Sequence, residues 1–103
     1  MNISESFKVF IENAPEYQKA QMDFTMKIGN ACKLDRKTET LAYLAVLASS
    51  RLESGIPFHV KEAKEAGATR EEIVSSILVG LPAVGNCVIQ SLPIALKAFD
   101  EDK

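Results

Sequence analysis

The sequence is short of the residues from which catalytic and metal centres are usually built. Its 103 residues include one histidine, two cysteines and no tryptophan, and aromatic side chains make up only 7%. One histidine and two cysteines far apart in the chain, Cys32 and Cys87, cannot supply the clustered ligands of a zinc site, so no metal is expected. There is no Cys-x-x-Cys pair, and two isolated cysteines in a reducing compartment are read as small buried hydrophobes. A Gly-rich phosphate loop is missing as well, and no cofactor is expected. The 12 basic and 14 acidic residues nearly cancel, to a net charge of −2, and are interleaved as in Lys61-Glu62-Ala63-Lys64-Glu65. That pattern gives no electrostatic reason to expect nucleic acid or an anionic membrane as partner. No apolar run approaches the length of about 20 residues needed to cross a bilayer. No basic stretch followed by an apolar segment opens the chain, and a cytoplasmic location is expected. Strict alternation with period two is absent, as are Asn-Gly and Asp-Gly turns. The fold class is therefore all-α, expected as a single domain, residues 1–103, of five to six helices.

What the chain does have is concentrated between Leu41 and Ile73. The run Leu41-Ala42-Tyr43-Leu44-Ala45-Val46-Leu47-Ala48 is apolar on every side of a helical turn, which describes a helix enclosed by protein. It is expected to be the central helix, at 36–54, capped by Asp35 and ended by Gly55 in a left-handed conformation. Pro57 suits the first turn of the next helix, because its missing N–H would be unpaired there anyway. On a helical wheel Ile56, His59, Val60, Ala63 and Ala66 share the inward side, with Lys61, Glu62, Lys64 and Glu65 outward. Gly67 ends that helix. Thr69-Arg70-Glu71-Glu72 has the spacing of a capping box and starts another.

Before this region, Ser4 can cap a helix through Phe7, Phe10 and Ile11, and Pro15 either kinks it or starts a second. The stripe Tyr17, Ala20, Gln21, Phe24 and Ile28 reads as core or subunit contact and should stop at Gly29-Asn30. After it, Ile73, Val74, Ile77, Leu78 and Leu81 mark an inner helix side, with Pro82 and Gly85 as competing stop signals. A last helix carries Val88 to Phe99, with Pro93 as a kink, and its acidic end Asp100-Glu101-Asp102 is expected to fray against the helix dipole.

The pattern Asp35-x-Lys37, Leu41-Ala42-x-Leu44-Ala45-Val46, His59 and Ala66-Gly67-Ala68-Thr69-Arg70-Glu71-Glu72-Ile73 resembles the carboxymuconolactone decarboxylase and alkylhydroperoxidase D-like superfamily, over roughly residues 34–99. The resemblance implies the all-α alkylhydroperoxidase D-like fold and a homo-oligomer, a trimer or hexamer. In the redox branch of that superfamily a glutamate and a Cys-x-x-Cys pair precede the histidine at fixed distances. Those positions hold Thr40, Leu52 and Gly55 here. Leucine and glycine cannot perform thiol chemistry. Glu39, next to Thr40, is not a simple substitute for the acid, since one residue turns a helical side chain by about 100°.

Three functions follow as expectations. In the first, the protein resembles the decarboxylase branch and is a non-redox lyase for a small carboxylated or lactone substrate, with His59 as acid/base. Thr40, Tyr43 and Glu53 are the candidate helpers. In the second it is an oligomeric binding or scaffold protein that has lost catalysis. In the third it retains thiol-dependent alkylhydroperoxidase activity.

Overall fold

The computed structural model describes residues 4–101. Among the described residues every regular element is helical: α1 (Glu5–Asn13), α2 (Pro15–Ala31), α3 (Arg36–Ser49), α4 (Ile56–Glu65), α5 (Arg70–Leu78), the single turn α6 (Leu81–Val84) and α7 (Leu92–Asp100). Short 3-10 segments occupy Glu53–Gly55 and Gly85–Ser91. Six of the helices are longer than one turn, as the periodicity predicts. The chain divides into two compact units, one ending at Leu34 and the other starting at Asp35.

The first unit is the pair α1 and α2. The Ser4 hydroxyl accepts from the Phe7 N–H at 3.2 Å, and the rings of Phe7 and Phe10 are 5.8 Å apart. Pro15 starts α2 rather than kinking α1. The helix continues through Gly29 and Asn30 to Ala31, because an interior glycine costs only about 1 kcal/mol and does not by itself break a helix. No residue of either helix is buried, and Tyr17, Phe24, Met26 and Ile28 are each more than half exposed. The stripe is therefore not core within this chain.

The second unit contains the core. Asp35 caps α3, its carboxylate accepting from the Thr38 N–H at 2.9 Å. α3 packs on α4 and α5, which both pack on α7. Leu44, Ile56, Val60, Ile73, Ile77 and Val88 are fully buried between them, each contributing about 1.5 to 3 kcal/mol of apolar transfer. One side of α3 remains uncovered within the chain: Tyr43 and Val46 are about half exposed, so complete enclosure is not achieved by a single copy.

α3 is shorter than 36–54. It ends at Ser49 in a Schellman motif, with Leu52 N–H donating to the Leu47 carbonyl (2.9 Å) and Arg51 N–H to Ala48 (3.2 Å). The left-handed residue is Arg51, at φ 59°, whereas Gly55 is right-handed at φ −87°. α4 ends in the same motif with the expected glycine, Gly67, at φ 100°. The α5 capping box forms in both directions: Glu72 N–H to the Thr69 hydroxyl at 3.1 Å, and Thr69 N–H to the Glu72 carboxylate at 2.9 Å. The buried Ser76 hydroxyl donates to the Leu41 carbonyl, tying α5 to α3.

The last helix differs from expectation. Pro93 sits in the first turn of α7, where its ring is tolerated, and the residues from Gly85 to Ser91 are 3-10 instead of α. Fraying at Asp100 and Glu101 is opposed by cations from two other helices. Arg70 donates to both Asp100 carboxylate oxygens (2.9 and 3.1 Å), Lys61 pairs with Glu101 at 3.1 Å, and Lys64 Nζ donates to the Phe99 carbonyl at 2.6 Å. Asp102 lies outside the described residues.

The helical stretch Arg70–Asp100 is, by length and composition alone, apolar enough to cross a membrane. Its two ends are the residues joined in the Arg70–Asp100 ion pair, however, and Gly85 interrupts it at φ 82°. A straight helix of that length would hold its ends over 40 Å apart. The stretch folds back on itself and does not form a spanning rod.

Candidate functional site

The histidine is positioned by the start of α4. Gly55 closes the 3-10 turn, Pro57 lies in the first helical turn, and Ile56 and Val60 anchor the helix in the core on either side of His59. The ring does not point into that core: its side chain is 26% exposed and lies at the edge of the buried side. Tyr43, from α3, lies against it with ring centroids 4.6 Å apart and planes tilted by 57°. Phe58 meets it edge-on at 5.2 Å. Nδ1 is 2.9 Å from a carboxylate oxygen of Glu62.

Of the candidate helpers, the structure brings Tyr43 to His59. Thr40 is buried, but its hydroxyl donates to the Arg36 carbonyl at 2.7 Å, four residues back along the same helix, and is thereby occupied. Glu53 is half-buried in the turn before α4, and its Oε2 is enclosed with no hydrogen-bond partner among the described residues. Leu52, at the position of the first redox cysteine in the resembling superfamily, is exposed, and Gly55 stands at the second. Cys87 is half-buried with its thiol 3.7 Å from the Val84 carbonyl, and Cys32 is half-buried at the end of α2, so neither is the sealed hydrophobe expected. Both are free thiols.

The residue that sequence reasoning missed is Glu62. On the wheel it belongs to the charged outer side. A spacing of three places side chains only about 60° apart around a helix, and that is the signal that could have found it. Because His59 sits at the border of the buried side, Glu62 reaches it from the solvent side.

The carboxymuconolactone decarboxylase family model matches residues 15–98. The chain belongs to that family. An uncharacterized protein of Methanocaldococcus jannaschii is 32% identical over 97 residues, covering 89% of this chain and 91% of the relative. The chain has no match among solved structures. Membership in the carboxymuconolactone decarboxylase family accords with the all-α architecture.

Proposed function

We propose that this carboxymuconolactone decarboxylase family member is a non-redox lyase for a small carboxylated or lactone substrate, with His59 as its acid/base. The observation that carries the reading is the state of the ring, which is anchored by Glu62 at one nitrogen, flanked by Tyr43 and Phe58, and still partly open. A histidine buried for packing would have its ring nitrogens paired inside the protein, whereas this ring keeps a side open to solvent. In such a reaction His59 takes the proton of the substrate's carboxyl group at its unprotonated nitrogen, and the carbon–carbon bond to that group breaks with loss of carbon dioxide. The bonding electron pair passes into a conjugated enolate, and His59 returns the same proton to carbon. Tyr43 supplies an aromatic wall against the ring.

His59→Gln and His59→Ala are expected to abolish turnover of a lactone-acid substrate while leaving helicity and melting temperature nearly unchanged. A loss of about 1 to 3 kcal/mol of stability with no turnover to lose would instead make His59 architectural. Replacing Cys32 and Cys87 together by serine is expected to leave turnover in place. Hydroperoxide reduction that vanished in that variant would favour thiol chemistry.

A second reading, an oligomeric binding protein, is favoured by the exposed apolar residues near the site, Tyr43, Val46, Leu52 and Phe58. A substrate screen in which the wild type turns over nothing would leave this reading standing. Under either reading we propose a homo-oligomer in the cytoplasm, a trimer or hexamer by family resemblance, supported by the uncovered side of α3 and the uncovered apolar side chains of α2.

A further inference from the structure

We infer that Glu62 is a positioning residue for His59 and that Gly55 is a size-determining residue, which keeps open the ring edge where His59 meets its reactant. The inference rests on the reading of His59 as an acid/base group and specifies which nitrogen acts and what controls access to it.

The imidazole has two distinct nitrogens, and a hydrogen bond at one decides which carries the proton. An ionised carboxylate only accepts, so Glu62 at 2.9 Å requires Nδ1 to be the donor in the neutral ring. Nε2 is then the unprotonated nitrogen. It lies next to Cδ2, the ring atom that faces Gly55: a Cβ built on Gly55 would come 4.0 Å from His59 Cδ2 and 3.8 Å from Leu47 Cδ1.

Glycine at 55 is not demanded by the fold. Its φ of −87° and ψ of −11° are available to any residue, and both neighbours of a Cβ would be at ordinary contact distance. In a helical turn glycine is also a less stable choice than alanine. What its small size does achieve is access, because any side chain at this position begins to cover the Cδ2–Nε2 edge. Glu62 and Gly55 thus act on opposite sides of the same ring, one holding Nδ1 and the other leaving Nε2 reachable.

Because His59 is the only histidine in the chain, its ring can be read without ambiguity and without a known substrate. Nitrogen-15 imidazole shifts of the labelled protein above neutral pH should show protonated Nδ1 and unprotonated Nε2. Glu62→Gln, which keeps an acceptor, should preserve that tautomer, and Glu62→Ala should shift the proton toward Nε2. Access is read with diethyl pyrocarbonate. The unprotonated nitrogen attacks its carbonyl carbon, an N–C bond forms, and the C–O bond to the ethyl carbonate leaving group breaks; the proton lost from Nδ1 passes to ethyl carbonate, which breaks down to carbon dioxide and ethanol. Carbethoxylation should slow several-fold in Gly55→Ala and further in Gly55→Val, with Ser54→Ala, changed at an exposed neighbour, reacting like wild type. Circular dichroism melting establishes that each variant is folded. A wild-type ring protonated at Nε2, or shifts unmoved in Glu62→Ala, would overturn the role of Glu62. Equal carbethoxylation rates in all folded Gly55 variants would overturn the role of Gly55. These outcomes are separate from turnover by His59 variants, so this inference and the proposed lyase activity can fail independently.

Discussion

Arg51 is the only described non-glycine residue in the left-handed region, at φ 59°, and the backbone there costs an L-residue about 1 kcal/mol. Its guanidinium donates to the Gln90 side chain at 2.9 Å, an exposed bond that offsets little of that cost. Arg51→Gly is expected to stabilise the protein by about 1 kcal/mol, measured by urea denaturation. Gly80 presents the opposite case. A Cβ there would lie 2.8 Å from the Ser49 hydroxyl oxygen, so Gly80→Ala should destabilise by about 1 kcal/mol, the low end of overpacking because the hydroxyl can rotate. Ser49→Ala in the same chain should recover most of the loss, and a double-mutant cycle with no coupling would refute the contact. Single residues were the least legible feature of the sequence. The Arg51 cap hides because arginine carries no local preference for positive φ. Glu62 hides because a surface glutamate ordinarily means only solvent, and its role depends on how far His59 is rotated out of the core.

The helical elements were better marked, chiefly at their starts. Asp35, Ser4 and Thr69 each begin the helix their chemistry predicts, and Pro15 takes the helix start of its two readings, because an N-cap hydrogen bond or a missing N–H is a local property. Thr69→Ala removes the side-chain half of the α5 box and should cost about 1 kcal/mol in thermal denaturation, with Thr69→Ser restoring most of it. Helix ends depended on more distant partners. The α7 terminus carries acids where the dipole disfavours them, and it holds because Arg70, Lys61 and Lys64 arrive from α5 and α4. The Lys64 ammonium also lies 4.6 Å from the centre of the Phe99 ring. Nothing near Asp100 in sequence announces these partners, which is why local reading gave fraying. Pro93 was ambiguous for a related reason, since a proline marks a helix start as readily as a kink when the preceding residues could continue the helix.

For the whole molecule, three acidic groups share one direction. Asp35 is held below the ordinary aspartate value of 3.8 by the Thr38 N–H, Glu72 below 4.5 by the Thr69 N–H and Lys37, and Asp100 below 3.8 by the Arg70 guanidinium. Each binds protons less readily folded than unfolded, so stability rises with pH across the range in which the unfolded carboxylates titrate. Their contribution is complete above about pH 5 and is lost as pH falls through the lowered folded values, and salt should shrink it because all three are at the surface. Acid melts at low and high ionic strength, with Arg70→Gln for comparison, would show a smaller acid-side loss in the variant. Assembly belongs to this scale too. Light scattering is expected to return a multiple of 11.3 kDa, and a monomer would leave the apolar sides of α2 and α3 without cover. The closure of α7 on α4 and α5 also bears on synthesis at the ribosome. Until Asp100 and Glu101 clear the exit tunnel, Arg70 and Lys61 lack their partners and the core side of α4 is open. A nascent chain that exposes α4 and α5 without α7 should remain a substrate for chaperones and proteases, and arrest of chains lengthened by a C-terminal linker should show protection arriving only once α7 has emerged.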